Sequence, residues 1–267
     1  MYIINKKTQI QIIMNSKNKI ALVTGGSRGL GKDMSIALAK KGIDVILTYN
    51  TNKEAADAVV AQIENLGQEA YAFQLDTSNS SKFDTFIATV TSTLQEKTGS
   101  TNFDFLINNA GTALYALATE TTEEQVNTIF NIHYKGTFFL TQKALPYLNT
   151  GGGIVNISSG LTRMSLPGSS VYASIKGAIE IYSRYLAKEL GGRKIRVNAL
   201  APGAIATDFG GGKVRDNKEY NEVLSGLTAL GRVGLPDDIG KVVAFLCSDD
   251  AYWINGQRIE VSGGQNL

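Results

Sequence analysis

Short apolar runs recur along the chain, each followed by a longer stretch in which apolar positions return every three or four residues. The short runs read as strands and the longer stretches as helices. Strands are expected at Ile20 to Thr24, Val45 to Tyr49, Ala70 to Leu75, Phe105 to Asn108, Ile154 to Ser158, Arg196 to Leu200 and Arg258 to Val261. Helices alternate with them at Leu30 to Lys41, Lys53 to Leu66, Phe83 to Lys97, Glu123 to Leu145, Tyr172 to Leu190 and Asp237 to Cys247. Gly42 and Gly67 stand just past the first two helices, where glycine ends a helix without steric cost. Runs such as IALVT, DVILTY and GIVNIS lack polar alternation, which predicts a parallel sheet covered by helices on both faces. The expected fold is a doubly wound, parallel, seven-stranded α/β sheet in one domain over residues 19–267, preceded by an extension at residues 1–18. The stretch from Phe209 to Asn221, opened by Gly210, Gly211 and Gly212, reads as an insertion free to move.

In such sheets ligands bind beyond the carboxyl ends of the strands, near the point where strand order reverses. The first strand-to-helix loop reads Thr24-Gly25-Gly26-Ser27-Arg28-Gly29-Leu30-Gly31. Its glycines let backbone approach a pyrophosphate, and the following helix offers unpaired N–H groups and positive potential. Gly25, Ser27, Arg28, Gly29, Leu30 and Gly31 are therefore candidate dinucleotide contacts in a fold of the Rossmann type. Tyr49 and Asn50 end the second strand, where an NAD site would carry a carboxylate for the adenine ribose. Without that carboxylate a 2′-phosphate is not repelled, and Arg28 offers a charged fork for it. NADPH is thus the expected cofactor, with NADH second. A solvated Arg28 is the plainer alternative, but a cation at a helix N-terminus opposes the helix dipole unless an anion joins it. Asp76, after the third strand, would either accept from the adenine amino group or cap the next helix.

Composition changes this picture little. The 267 residues are 43% hydrophobic and 19% charged, with a formal net charge of +2, so neither a nucleic acid nor a membrane surface is the expected main partner. The single cysteine, Cys247, excludes an intrachain disulfide. The opening MYIINKKTQIQIIMNS has neither the form of a secretory signal nor that of a membrane span, and a cytoplasmic location is expected. No metal site is expected. The glycine loop lacks the Gly-Lys-Ser/Thr ending that a P-loop nucleotide hydrolase requires.

Ser158-Ser159 follows the fifth strand, and Tyr172 and Lys176 lie one turn apart, so they share a helix face. A tyrosine of pKa about 10 becomes an effective acid–base near pH 7 only if roughly 4 kcal/mol of preferential phenolate stabilisation is supplied. A nearby ammonium and the positive nicotinamide ring of an oxidised cofactor are suitable sources.

The TGGSRGLG loop, Asp76, Asn108-Asn109-Ala110-Gly111, Ser159 placed 13 residues before Tyr172, the Tyr172/Lys176 pair, and Pro202-Gly203 followed by Thr207 together resemble the short, single-domain branch of the short-chain dehydrogenase/reductase family. The resemblance covers Lys19 to Gly264. It implies that Ser159 hydrogen-bonds a substrate carbonyl, that Tyr172 donates the proton, and that Lys176 holds the nicotinamide ribose and lowers the tyrosine pKa. It also implies that Asn109, with Ala110 and Gly111, packs beside the cofactor, and that Pro202, Gly203, Ile205 and Thr207 hold its nicotinamide half. A homotetramer is implied too, with the helices from Glu123 and Tyr172 at one interface.

One position departs from the family pattern. His133, the single histidine, occupies the place of an asparagine that commonly relays protons through water and Lys176. An imidazole can donate and accept, so it either joins the relay or packs as a core side chain, and its protonation near about pH 6.5 would alter the site. The expected activity is NADPH-dependent reduction of a small carbonyl compound to a secondary alcohol, a 3-oxoacyl thioester-like ketone being one candidate. An NAD-dependent alcohol dehydrogenase and a dinucleotide-binding sensor without turnover are the alternatives. Leu114, Leu161, Met164, Leu166 and the segment from Phe209 to Asn221 are the expected pocket wall.

Overall fold

The computed structural model describes residues 18–267, so the expected N-terminal extension lies outside the described residues except for Asn18. Seven strands form one parallel sheet in the order β3-β2-β1-β4-β5-β6-β7. They are β1 (Ile20–Val23), β2 (Asp44–Tyr49), β3 (Ala70–Gln74), β4 (Phe103–Asn108), β5 (Leu148–Ile157), β6 (Arg196–Pro202) and β7 (Arg258–Val261). Order reverses between β1 and β4, which sit side by side in the sheet centre. The loops leaving these two strands therefore share one crevice.

Alternation along β1 shows how both faces are filled. Ala21 and Val23 join a cluster with Met34 and Leu38 of α1 (Gly29–Ala39), Val59 and Ile63 of α2 (Lys53–Glu64), and Ile239 and Val243 of α9 (Pro236–Leu246). Ile20 and Leu22 point the other way, to Phe86, Val90 and Leu94 of α3 (Phe83–Thr98), Leu140 of α5 (Gly136–Ala144) and Leu186 of α6 (Ser170–Glu189). Each large apolar side chain so buried contributes about 1.5–3 kcal/mol. That is why these strands read as continuous apolar runs.

Three expectations are corrected. β5 starts at Leu148, six residues before Ile154, because Gly152 allows the backbone close to strand β4: a Cβ there would lie 2.2 Å from the Asp104 carbonyl. The helix expected from Glu123 to Leu145 starts as α4 (Glu123–Phe130) with a capping box between Thr122 and Gln125, but passes through a π turn at Asn131–Lys135 before α5. A π turn adds a residue to the helical repeat and is often found at functional sites. The segment from Phe209 to Asn221 is largely helical: α7 (Lys213–Asp216) is followed by α8 (Lys218–Gly226), whose cap Asn217 accepts from Tyr220 N at 2.8 Å. Gly210, Gly211 and Gly212 all have positive φ, so they form the turn into these helices.

Candidate active site

The glycine loop is tied to its neighbours by threonines. Gly25 N donates to Thr48 Oγ1 at 3.0 Å and Gly26 N to Thr48 O at 2.8 Å, joining the loop to β2. Thr24 Oγ1 accepts from Asn109 N at 2.9 Å and from Ala110 N at 3.0 Å, while Asn109 Nδ2 donates to Thr24 O at 2.9 Å. The Asn109-Ala110-Gly111 segment after β4 is thereby fixed against the loop. Gly25 and Gly29 take positive φ, and no side chain caps α1. The N–H groups of its first turn are left for an anion. A dinucleotide pyrophosphate fits this cradle of glycines and uncapped helix start.

Arg28, strongly exposed at 77%, reaches across the cleft to Asp208 with Nη1 2.9 Å from the carboxylate. Tyr49 is buried at the end of β2, and Asn50 is exposed beside it with its carbonyl accepting from Gln74. Asp76 Oδ1 accepts from Ser78 N and Ser78 Oγ at 2.9 and 2.7 Å within the loop, and the cap of the next helical turn is Asn79 instead, whose side chain accepts from Ser81 N. On the opposite wall, Pro202 ends β6, Gly203 N donates to Val261 O, and Ile205 bridges to Gly234. Thr207 is buried, and a Cβ on Gly29 would meet Asp208 and Thr207. The fold thus brings the glycine loop and the Pro202-to-Thr207 segment face to face.

Ser159, Tyr172 and Lys176 converge where β5 meets α6. Ser159 caps a short 3₁₀ turn, its Oγ accepting from Leu161 N at 3.2 Å, and its side chain is close enough to the Tyr172 hydroxyl to lower the tyrosine pKa. Lys176 is buried, with Nζ donating to Ile157 O at 2.7 Å and lying 5.7 Å from the Tyr172 ring centroid. Burial pulls the Lys176 pKa down to about 7. For Tyr172, burial first and then Tyr115 raise the pKa above the usual phenol value, and the nearby Ser159 side chain lowers it. The lowering of the tyrosine pKa that the resemblance implies is not a property of the protein groups alone.

His133 sits inside the π turn, 2% exposed, with its ring edge-on to Tyr172 at a centroid distance of 5.3 Å. Its Nε2 lies 2.8 Å from Thr112 O and 3.2 Å from Thr112 N. The shorter contact to a carbonyl assigns the proton to Nε2, since two lone pairs would repel at that distance. Nδ1 is then a buried acceptor with no partner among the described residues. Burial, then the Lys176 charge, hold the His133 pKa well below 6.5, against the opposing effect of the Thr112 hydrogen bond. Protonation near pH 6.5, expected from the sequence, moves to more acid conditions.

Of the expected wall, Leu114, Leu161 and Met164 are partly covered and Leu166 is 41% exposed. Two aromatic residues complete it. Phe209 lies 6.1 Å from the Tyr172 ring centroid, and Tyr115 covers the Gly210 turn, where a Cβ would come within 3.2 Å of its ring. Sequence reading passed over Thr24, Thr48 and Tyr115; polar threonines ending otherwise apolar strands were the available signal for the first two. Among the described residues no helix is long and apolar enough to cross a membrane.

Residues 25–266 match the family profile described as enoyl-(acyl carrier protein) reductase. An uncharacterized oxidoreductase of Methylorubrum extorquens is 40% identical over 248 residues, 93% of this chain and 98% of that protein. The hydroxynaphthalene reductase-like protein Arp2 of Metarhizium majus is 37% identical over 258 residues, 92% of this chain and 94% of that protein. Among solved structures, the angucycline C-6 ketoreductase LanV with bound NADP superposes with a TM-score of 0.89 at 37% identity, covering 93% of this chain and 96% of that one. With the fold, the glycine cradle and these relatives in agreement, the chain belongs to the short-chain dehydrogenase/reductase family as an NAD(P)-dependent oxidoreductase.

Proposed function

We propose that this protein is an NADPH-dependent carbonyl reductase that converts an aryl or polycyclic ketone to the secondary alcohol, with Ser159, Tyr172 and Lys176 as its catalytic residues. The observation that carries the reading is the convergence of these three side chains on one wall of the cleft. NADPH, when bound, supplies the hydride. Ser159 then orients the carbonyl, and Tyr172, whose raised pKa keeps it protonated, donates its proton as alkoxide charge develops. Lys176 contributes an ammonium beside the tyrosine and the cofactor ribose. The glycine-loop residues Gly25, Ser27, Arg28, Gly29, Leu30 and Gly31 take the pyrophosphate side, with Tyr49, Asn50 and Asp76 around the adenosine. Asn109, Ala110, Gly111, Pro202, Gly203, Ile205 and Thr207 enclose the nicotinamide half.

The substrate class rests on the wall of Tyr115, Leu166 and Phe209, all exposed, which suits a flat apolar body better than a thioester chain. The names of the hydroxynaphthalene and angucycline relatives agree with that class. The reading also includes a cytoplasmic homotetramer. Its support is the buried, unpaired Cys247 thiol and the exposed apolar side chains Val126, Phe130, Phe139, Ile181 and Tyr185 on α4, α5 and α6.

The test is a panel of 1-tetralone, ethyl acetoacetate, an acetoacetyl thioester and a quinone, each with NADPH and NADH in both directions. Reduction of 1-tetralone with NADPH is expected to be fastest. Arg28 is expected to favour the 2′-phosphate, because its exposed pairing with Asp208 is weak and easily exchanged. Tyr49→Asp should flatten or reverse the NADPH preference by repelling that phosphate. A parent enzyme already faster with NADH would overturn this assignment.

His133 belongs to the same proposal, as the acceptor that links Lys176 to solvent through water. Its unpartnered Nδ1 supports that role. His133→Asn should retain turnover within about threefold, while His133→Leu should lose about tenfold or more in kcat with little change in NADPH affinity. The stability effect has a definite sign. The folded pKa lies below the unfolded value, so the stabilising contribution is present above about pH 6.5 and is lost as the pH falls below it. Melting at pH 5 and pH 7.5 should show a smaller acid loss in His133→Asn than in the parent. A fully active Leu variant would end the relay role.

A further inference from the structure

Glu180 lies one turn beyond Lys176 on α6, outside every motif discussed above. Its Oε1 accepts from Ser158 Oγ at 2.6 Å, from Thr162 Oγ1 at 2.7 Å and from Arg258 Nε at 2.8 Å. Arg258, from β7, also donates through Nη2 to Thr162 Oγ1 at 3.1 Å and to the Ser159 carbonyl at 3.4 Å. One ion pair thus holds the residue before Ser159, the main chain of Ser159 itself, and the residue three positions after it. Both partners are largely covered, at 12% and 24% side-chain exposure, where charged hydrogen bonds keep more of their strength than at a surface.

The pair is itself anchored. Arg258 Nη1 donates to Glu260 Oε2 at 2.9 Å, and Arg163 grips the same carboxylate with Nε and Nη2 at 2.8 and 2.6 Å. Arg163 also donates to the carbonyls of Gln265 and Asn266. Gln265 Oε1 in turn accepts from Ala204 N at 2.9 Å, in the turn after Pro202-Gly203. The network therefore ties the segment from Ser158 to Thr162 to the neighbouring turn after Pro202-Gly203.

Ser159 Oγ takes no part in it. Its oxygen accepts from Leu161 N inside the bracketed segment, which leaves its O–H to turn toward Tyr172 and a carbonyl, and its direction depends on where the bracketed backbone places it. A generic structural ion pair has no reason to gather both hydroxyls flanking one serine together with that serine's own carbonyl.

We propose that Glu180 and Arg258 are positioning residues that bracket Ser159 and set the direction of its hydroxyl toward the reacting carbonyl. The inference rests on the catalytic reading of Ser159 given above. A displacement of about 1 Å at such a group costs up to about 100-fold in rate. The bracket therefore acts on turnover more than on cofactor binding, since none of the proposed cofactor contacts lies between Ser158 and Thr162.

Glu180→Ala and Thr162→Val, each alone and combined with Ser159→Ala, separate the outcomes. The readouts are kcat with the panel ketone reduced fastest, the Kd of NADPH by fluorescence titration, and thermal melting. Each single variant should lower kcat, Glu180→Ala by about tenfold or more, and leave the NADPH Kd within about twofold. In the Ser159→Ala background the same substitutions should change kcat by less than about twofold, since they act through a hydroxyl already removed. Thr162→Val introduces no unpaired charge and carries the test alone if Glu180→Ala does not fold. Parent-like kcat in Thr162→Val and in folded Glu180→Ala, or equal losses in the presence and absence of the Ser159 hydroxyl, would overturn the bracket. A fully active Ser159→Ala would remove the catalytic reading itself, and the bracket with it.

Discussion

Tyr172→Phe is expected to keep NADPH affinity and lose at least about 100-fold in kcat, the usual scale for removal of a positioned general acid. The ring stays in its place in this variant: His133 on one side and Phe209 on another hold it by contacts that do not involve the hydroxyl. What disappears is the O–H beside Ser159 that gives its proton to the alkoxide. At neutral pH that hydroxyl is protonated in the folded and the unfolded protein alike, so its removal changes no charge and should alter stability by no more than about 1 kcal/mol. Loss of rate without loss of stability is the signature to look for. NADPH titration, thermal melting and steady-state rates on one preparation provide it. Near-parent turnover would show that another group delivers the proton.

The glycine loop, the alternation of strands and helices, and the shared helix face of Tyr172 and Lys176 were legible because each is written in local spacing. Strand β1 shows both faces of the sheet in four residues, and the step from Tyr172 to Lys176 is one helical turn. The parts that escaped the sequence depend on contacts between distant segments. Nothing local marks the π turn at Asn131–Lys135, since all five residues suit an α-helix; it is seen only with His133 against Thr112 and Gly136 against Thr77. Glu180 reads as a polar position on a helix until Arg258, 78 residues later, is folded beside it. The run Gly210 to Gly212 looked like a free loop because glycine is permissive. In the fold those glycines form a tight turn between ordered elements, with the capping value of Asn217 hidden behind them.

Gly31→Ala is expected to reduce NADPH affinity by at least about 100-fold, equivalent to about 2.7 kcal/mol. Gly31 is buried in the first turn of α1, and a Cβ there would stand 2.1 Å from the Gly25 carbonyl oxygen and 2.5 Å from Asn109 Nδ2. The first obstacle is backbone and cannot rotate away. Helix α1 would have to move off the loop by about 1 Å to restore a normal carbon–oxygen contact, and such overpacking costs about 1–3 kcal/mol. The movement also withdraws the uncapped N–H groups from the pyrophosphate and strains the hydrogen bonds of Asn109 to Thr24 and Gly25. Binding should therefore fall further than stability. Gly42→Ala is the matching control: it stands at the other end of α1, with φ +79° and no atom within 4 Å of its would-be Cβ. That variant pays only the left-handed backbone strain of about 1–2 kcal/mol and should bind NADPH as the parent does. Fluorescence titration of NADPH with melting curves for both variants makes the comparison, and parent-like affinity in Gly31→Ala would remove the pyrophosphate from this loop.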